Sequence, residues 1–282
     1  MAGRRLLAAL AAAAGIGCAS AKNYLDPAGP FYEFRREAAP RTAASAGGPL
    51  RVVSFNIAYG IEIDRAIEVL RGAEALRDPD ILSLQEMDAP GVEKIAKALG
   101  LNAVYFPSGI HPRHGRDFGC ALLSPWPLVE PRKLTLPHGS RGSGLRRSAT
   151  IATVLRGSQR IRAYAVHLPS PLAVSGGSRR DELRLLAADA LASPDPVVIA
   201  GDFNSHDKVE ELEHDGLTWL TRSLGVTTRV DLIGIPIARL GYDHVLVRGL
   251  RLASGDSALG IVRDNHGASD HLPIWAVVEA PR

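Results

Sequence analysis

At residues 197–204 the chain reads VVIAGDFN, a strongly apolar run followed at once by polar side chains. Four consecutive apolar residues next to a glycine predict a buried strand. A carboxylate beside such a strand costs free energy unless it binds a metal or takes part in chemistry. Asp202 and Asn204 lie two positions apart, so in an extended segment their side chains would point to the same side. The segment therefore predicts a functional site at the end of a core strand.

The same arrangement recurs along the chain. Asn56, Glu86 and His167 each follow an apolar run, whereas Asp243-His244 and Asp270-His271 each precede one. Alone, each residue has an ordinary interpretation as a turn former, a solvated strand end or a structural histidine. Their repetition favours one shared site at a sheet edge, which is where α/β domains assemble active sites.

Short β-branched runs alternate with amphipathic segments after residue 48. The strand-like runs are 51–56, 81–85, 121–124, 150–155, 161–167, 197–200, 244–247 and 274–278, and helical periodicity is clearest at 64–76, 91–99 and 180–192. Some of these strands follow one another directly and others are separated by helices, which favours mixed sheets over a simple parallel sheet. We therefore predict an α/β (α+β) fold with two mixed β-sheets and helices outside them.

Seven segments carry a resemblance to a known family. They are SFN (54–56), DILSLQE (80–86), FGCALLS (118–124), VHL (166–168), GDFN (201–204), YDHV (242–245) and SDHLP (269–273). In these segments, taken in this order, the chain resembles the endonuclease/exonuclease/phosphatase superfamily, which includes pancreatic deoxyribonuclease, abasic-site endonucleases, inositol-polyphosphate phosphatases and neutral sphingomyelinases. The resemblance implies a metal-dependent phosphoesterase domain over residues 49–282, built as a four-layered sandwich with its two sheets packed face to face.

The resemblance also implies which residues hold a metal and position water. Asn56, Glu86 and Asp270 would hold Mg²⁺ or Mn²⁺, the cations that oxygen ligands favour over Zn²⁺. Asp202 and Asn204 would align the attacking water and a phosphoryl oxygen.

Proton transfer and phosphate binding are assigned in the same way. His271 would take the proton from water, with Asp243 or another carboxylate tuning the imidazole pair. His167 would stabilise the charged phosphorane or protonate the leaving oxygen. One of Arg146 or Arg147 would bind the substrate phosphate, because a guanidinium fork matches phosphate geometry.

These expectations leave several functions open. A formal charge of +3 and a pI near 9.0 suit an anionic phosphate ester as substrate. We predict a monomeric hydrolase of phosphate esters, acting as a phosphodiesterase or a phosphatase. A secreted nuclease for DNA or RNA is an alternative, although no aromatic-rich stretch for base stacking is visible. A catalytically silent ligand-binding module on the same fold is the alternative from another class.

The N-terminus reads as an export signal over residues 1–21, with Arg4 and Arg5 before a short apolar run. Two processing sites compete, namely an A-x-A site ending at Ala21 and a lipobox-like segment before Cys18. A lipidated Cys18 would place the protein at the membrane of the cell envelope, and cleavage after Ala21 would release it as a secreted protein. Residues 22–48 are expected to form an irregular arm or linker.

Overall fold

A computed structural model describes residues 20–37, 48–232, 235–255 and 257–281. Cys18 and the predicted export signal as far as residue 19 lie outside these ranges. Within them, no helix combines the length and the apolar character that crossing a bilayer requires.

The larger sheet contains nine strands of the described residues. They are β1 (Lys22–Asn23), β2 (Tyr32–Phe34), β3 (Leu50–Asn56), β4 (Ile81–Met87), β5 (Asn102–Ile110), β6 (Asp117–Ser124), β15 (Arg251–Leu252), β16 (Leu259–Ile261) and β17 (Ile274–Glu279). The order is β1-β5-β6-β4-β3-β17-β15, while β2 also pairs with β5 and β16 with β17. Only β3 and β4 run parallel, so this sheet is mixed.

The smaller sheet contains six strands of the described ranges. They are β7 (Leu128–Gly139), β8 (Arg146–Arg156), β9 (Gln159–His167), β10 (Val197–Asp202), β11 (Thr218–Trp219) and β14 (Asp243–Arg248), in the order β11-β14-β10-β9-β8-β7. Here only β9 and β10 are parallel. A separate antiparallel pair consists of β12 (Thr228–Leu232) and β13 (Ile235–Leu240).

Four α-helices of the described residues flank the sheets. They are α1 (Ile63–Gly72), α2 (Ala89–Leu99), α3 (Gly176–Leu191) and α4 (Glu210–His214), and 3₁₀ turns occupy Ala58–Gly60 and Asp207–Val209. Local sequence fixes the ends of α2, because the Asp88 side chain accepts from the Gly91 N–H and Gly100 closes the helix in the left-handed conformation.

Buried apolar side chains separate these elements into layers. Between the sheets, Val52 and Leu122 of the larger sheet share a core with Ala163 and Val198 of the smaller one. The outer face of the larger sheet packs on α1 and α2, and that of the smaller sheet packs on α3 and α4. The predicted fold of two mixed sheets packed face to face with helices outside is therefore confirmed.

Every strand-like run in the sequence lies within an observed strand, but two expectations about other segments differ from the structure. The helix expected over 64–76 ends at Gly72, because Ala73 adopts an extended conformation. The arm expected to be irregular over 22–48 contributes β1 and β2 to the edge of the larger sheet. Residues 38–47 of that arm lie outside the described residues.

The arm is ordered at its start because it finds partners on both sheets. Its backbone pairs with β5, and the Phe31 ring stacks on Phe106 at 4.6 Å. The ammonium group of Lys133 on β7 donates to the carbonyl oxygens of Tyr24 and Gly29, each at 2.8 Å. A buried lysine of the smaller sheet thus holds a segment that the sequence pattern marks only as a loop.

A buried ion pair joins the two sheets at the base of β4. Asp80 Oδ1 accepts from Trp126 Nε1 at 2.7 Å and from Arg156 Nε at 3.2 Å, and its Oδ2 accepts from the Arg51 N–H at 2.9 Å. Both members of the ion pair are almost completely buried. Removing the Asp80 carboxylate would take away the charge that faces Arg156 and the acceptor of the Trp126 and Arg51 N–H groups, which is costly in the interior.

We therefore expect Asp80→Ala to lower the free energy of unfolding by about 3 to 5 kcal/mol, measured by urea denaturation. Asp64→Ala is a matched control, because Asp64 is 77% exposed and pairs with Lys94 on the surface. The control should cost less than about 1 kcal/mol. A cost for Asp80→Ala as small as that of the control would contradict this interpretation.

Candidate active site

Strand register brings three predicted residues side by side. In the parallel pair β9 and β10, His167 lies opposite Asp202, and in the antiparallel pair β10 and β14, Asp202 lies opposite Asp243. Gly201 permits this close approach, because a Cβ atom there would lie 2.0 Å from the carbonyl oxygen of Val166. The smaller sheet therefore presents a histidine and two acids at one end of three neighbouring strands.

The larger sheet contributes Asn56 and Glu86 at the same place. Asn56 ends β3, and its Nδ2 donates across the interface to Asp202 Oδ2 at 3.1 Å. The same amide lies 3.4 Å from Glu86 Oε1. A second bridge between the sheets lies deeper, where Ser83 Oγ donates to the carbonyl oxygen of Ala200 at 2.8 Å. The site is thus built where the two sheets meet.

Glu86 is held in an unusual backbone conformation. Its φ is 61°, and β4 loses its regular pairing with β6 between Leu84 and Met87. Glu86 Oε2 accepts from the Tyr59 N–H at 3.0 Å. Burial raises the pKa of Glu86, and Arg147 opposes that rise. A strained carboxylate that is destabilised by burial is typical of a functional position.

Asp202 accepts several hydrogen bonds. Its Oδ1 accepts from the Asn204 N–H at 2.8 Å, and the Asn204 Nδ2 lies 3.2 Å from Oδ2. Burial raises the pKa of Asp202 to about 7, although the charge of His271 opposes the rise. β10 ends at Asp202 and Asn204 has a φ of 47°, so a tight turn, and not the predicted extended segment, brings the two side chains together.

His271 lies between two acids. Its Nδ1 is 2.8 Å from Asp243 Oδ2 and its Nε2 is 3.6 Å from Asp202 Oδ2. Burial disfavours a charged imidazole, but the carboxylates of Asp243 and Asp202 outweigh burial and raise the pKa of His271 to about 10. The two carboxylates therefore favour the charged form of the His271 imidazole.

His167, in contrast to His271, is held in its neutral form. Its Nδ1 accepts from Arg147 Nη1 at 3.4 Å, and its Nε2 is 3.4 Å from Asp202 Oδ2 and 3.8 Å from Glu86 Oε1. Burial, followed by the positive charges of Arg147 and His271, lowers its pKa well below the ordinary value. His167 is thus a neutral imidazole whose Nε2–H faces the carboxylates.

Two predicted residues lie at the margin of the site or away from it. Asp270 is exposed, and it acts on Glu86 through space, by raising the Glu86 pKa. Of the two candidate arginines, Arg147 contacts His167 and lies 4.5 Å from the Phe118 ring centre. Arg146 instead uses its backbone N–H to bind the Asn23 side chain at 2.8 Å. The geometry therefore favours Arg147 over Arg146 for substrate phosphate.

Thr228 and Tyr59 belong to the site but have no motif in the sequence. Thr228 Oγ1 lies 3.3 Å from Asp243 Oδ2 and 3.2 Å from His271 Nδ1. Tyr59 supplies the N–H that binds Glu86. Tyr59 could have been suspected because it lies three residues after Asn56. Thr228 gives no such signal, because it lies 15 residues from Asp243 and 43 from His271.

His244 does not belong to the reacting group of residues. Its Nδ1 accepts from Trp219 Nε1 at 3.2 Å, and its Nε2 donates to the carbonyl oxygen of Ser205 at 2.8 Å. Burial lowers the pKa of His244 to about 4, which keeps it neutral. Asp243 and its neighbour therefore face different surroundings, as expected for successive residues of a strand.

The donor atoms in this cleft suit a hard divalent cation. Asp202 and Asp243 offer carboxylate oxygens that lie within 4.8 Å of each other and of a ring nitrogen of His271. Asp243 Oδ1 is buried and has no hydrogen-bond partner among the described residues. Together with Glu86, these acids form a group of buried oxygen ligands whose charge is incompletely balanced, which favours Mg²⁺ or Mn²⁺.

The chain belongs to the endonuclease/exonuclease/phosphatase family, whose model matches residues 53–271. Members of this family are typically phosphoesterases or nucleases that depend on a divalent metal, which supports a hydrolase here. Curated protein sequences give no match.

Solved structures share the fold at low sequence identity. A family member from Beutenbergia cavernae has a TM-score of 0.62 and 22% identity, over 82% of this chain and 72% of that one. D. rerio TDP2, complexed with a single-stranded DNA product, has a TM-score of 0.65 and 17% identity, over 83% and 100%. A family member from Bacteroides thetaiotaomicron has a TM-score of 0.64 and 15% identity, over 83% and 99%.

The charge state of His271 provides a test of this geometry. We expect ¹⁵N NMR of histidine-labelled protein in EDTA at pH 8 to show both ring nitrogens of His271 protonated. Asp243→Asn should lower the His271 pKa by about 1 to 3, because the nearest opposite charge is lost. Thr228→Val is the control that removes a hydroxyl and no charge.

The same shift predicts how stability depends on pH. The folded pKa of His271 lies above its ordinary value of 6.5, so its protonation stabilises the metal-free fold fully below pH 6.5. This stabilisation is lost as the pH rises towards 10. A neutral His271 at pH 7 in the wild-type protein would contradict the assignment.

Proposed function

We propose that this protein is an exported hydrolase of phosphate esters that depends on a divalent metal and acts as a phosphodiesterase or a phosphatase. The observation that carries the proposal is the convergence of three acids with two histidines, of which one favours the neutral and the other the charged form. These residues are Glu86, Asp202, Asp243, His167 and His271. Burying three acids together is unfavourable for a merely structural cluster. It is suitable for a site that binds a cation and transfers a proton.

Asn56, Glu86 and Asp270 are the proposed ligands of Mg²⁺ or Mn²⁺, and Asp202 and Asp243 add further oxygen atoms to the same cleft. When bound, the cation would act as a Lewis acid that offsets charge on the phosphoryl oxygens. The raised pKa of Glu86, caused mainly by burial, supports its place in this set.

Asp202 is the group best placed to accept a proton from water. Its carboxylate is fixed by the Asn204 N–H at 2.8 Å and by the Asn56 amide at 3.1 Å, and burial raises its pKa, which strengthens it as a proton acceptor. The resemblance gives this role to His271, whose contact with Asp243 at 2.8 Å favours its charged form. We assign His271 to stabilising negative charge on the phosphoryl group, with Asp243 as its positioning residue.

In the proposed reaction, water attacks phosphorus and passes its proton to Asp202 while the bond from phosphorus to the leaving oxygen breaks. Asn204 helps to orient Asp202, since its backbone N–H and its side-chain amide both bind that carboxylate. The Nε2–H of His167 is available to the leaving oxygen, and Arg147 would bind a phosphoryl oxygen as it holds His167.

The catalytically silent module is the less favoured function. A binding protein has no need for a buried acid with a pKa near neutrality beside one neutral and one charged histidine. The nuclease alternative is compatible with the same chemistry and depends on what surrounds the reacting phosphate.

Export is the part of the proposal that depends on residues 1–21. Both candidate processing sites, at Cys18 and after Ala21, come before β1, so either would leave the described strands and helices in the mature protein. Mass spectrometry of the mature N-terminus distinguishes a lipidated Cys18 from a chain that begins at Lys22.

Activity on bis-p-nitrophenyl phosphate tests the proposed function. We expect the mature chain to hydrolyse it with Mg²⁺ or Mn²⁺ and to lose activity in EDTA. Asp202→Asn and His271→Ala should each lower kcat by about 100-fold or more without unfolding the protein. Asp264→Asn and His266→Ala, at exposed positions, are the matched controls and should retain activity.

Near-normal rates in Asp202→Asn or His271→Ala would show that the site has been misplaced. A folded wild-type protein without activity under any divalent metal would instead favour the silent binding module.

A further inference from the structure

Four rings line one side of the candidate active site, and we call them the aromatic wall: Tyr59, His111, His114 and Phe118. The ring centre of Tyr59 lies 4.3 Å from that of His114 and 4.9 Å from that of His111, and His111 lies 5.0 Å from Phe118. Phe118 lies in turn 5.8 Å from the ring of His167. The wall is therefore continuous with the residues assigned to the reaction.

The wall is anchored to the candidate metal ligands. Tyr59 has a left-handed backbone with a φ of 61°, and its N–H donates to Glu86 Oε2 at 3.0 Å. Arg116 Nη2 donates to the Tyr59 carbonyl oxygen at 2.8 Å, while its Nη1 binds Asp88 Oδ2 at 2.9 Å. These bonds fix the Tyr59 backbone directly beside the site.

The turn between β5 and β6 holds both histidines against Tyr59. The His111 N–H donates to the Arg116 carbonyl oxygen at 2.9 Å, and the Gly115 N–H donates to the His111 carbonyl oxygen at 2.8 Å. Phe118 is buried, but Tyr59, His111 and His114 are each partly exposed. Three residues of the wall thus reach the rim of the site.

Charge restricts what can bind there. Burial, helped by the positive charge of Arg147, lowers the pKa of His111 to about 4, so its ring is neutral at physiological pH. Arg147 lies over Phe118, and Arg113 is exposed on the same turn. Neutral rings beside cationic groups favour a ligand that has both a planar ring and a phosphate.

We propose that the aromatic wall is a base-binding subsite, so that the substrate is a single-stranded nucleic acid whose base stacks there next to the reacting phosphate. This rests on the proposed function, because the wall selects the substrate of that same site. The similarity to TDP2 supports only the fold of this chain. The proposed subsite rests on the ring contacts described above.

The subsite is tested by comparing substrates that differ only in their bases. Wild-type protein with Mn²⁺ is given single-stranded DNA or RNA oligonucleotides, and oligomers of equal length in which every base is absent but the phosphates remain. We expect kcat/KM to be at least about 10-fold higher with bases, since stacking on an aromatic platform contributes at that level. The DNA and RNA arms show which sugar is accepted.

Variants at one ring identify the surface responsible. His111→Ala should reduce the preference for bases by about 5-fold or more, whereas His111→Phe, which keeps a ring, should retain it. His266→Ala is the control for an exposed histidine away from the wall, and thermal unfolding checks that each variant is folded.

Equal kcat/KM for oligomers with and without bases in the wild-type protein would overturn the subsite and leave the proposed function standing. Faster hydrolysis of sphingomyelin vesicles or inositol phosphates than of oligonucleotides would overturn it as well. No hydrolysis of any phosphate ester would instead refute the proposed function itself.

Discussion

The placing of buried Asp202 and Asp243 beside the largely buried Glu86, at one end of two facing sheets, is the constraint on which the rest of this structure depends. Taking each carboxylate out of water costs several kcal/mol, about the size of a fold's whole margin of stability. The protein reduces this cost with directed donors, above all the Tyr59 N–H on Glu86 and the Asn56 amide on Asp202. The remaining excess of negative charge is what makes the cleft suitable for a divalent cation and for an imidazolium.

The architecture supplies the rigidity that such a site requires. β9, β10 and β14 place their polar ends in one row, and the central core between the sheets holds that row against β3 and β4. The buried pair of Asp80 and Arg156 joins the sheets near the start of β4, some six residues before Glu86. At about 3.3 Å per residue, the ion pair lies about 20 Å from Glu86 along the strand. The stabilising ion pair and the candidate active site are therefore at opposite ends of β4.

The sequence predicts the layers of this fold well, because β-branched runs and amphipathic segments report directly which faces are buried. It also locates residues such as Asp202, which follow a core strand. It misses β5 and β7, since prolines such as Pro107 and Pro131 disguise a strand. It also cannot choose between Arg146 and Arg147, because successive residues of β8 point to opposite faces and only the folded sheet shows which face meets the cleft. Three rings of the aromatic wall lie within residues 111–118, but Tyr59 meets them only in the folded chain, so composition does not reveal the wall. The identity of a substrate is harder to predict than the fold for this same reason.

We propose that these carboxylates form a cation site whose charge is unbalanced without metal. Thermal unfolding of the wild-type protein and of Glu86→Gln, each in Mn²⁺ and in EDTA, is the decisive measurement. Mn²⁺ should raise the Tm of the wild-type protein and raise that of Glu86→Gln much less, because binding to the native state alone stabilises it. In EDTA, Glu86→Gln should unfold at the same temperature as the wild-type protein or above it, since a buried charge has been removed. A wild-type Tm that does not respond to Mn²⁺, together with a lower Tm for Glu86→Gln in EDTA, would contradict the claim.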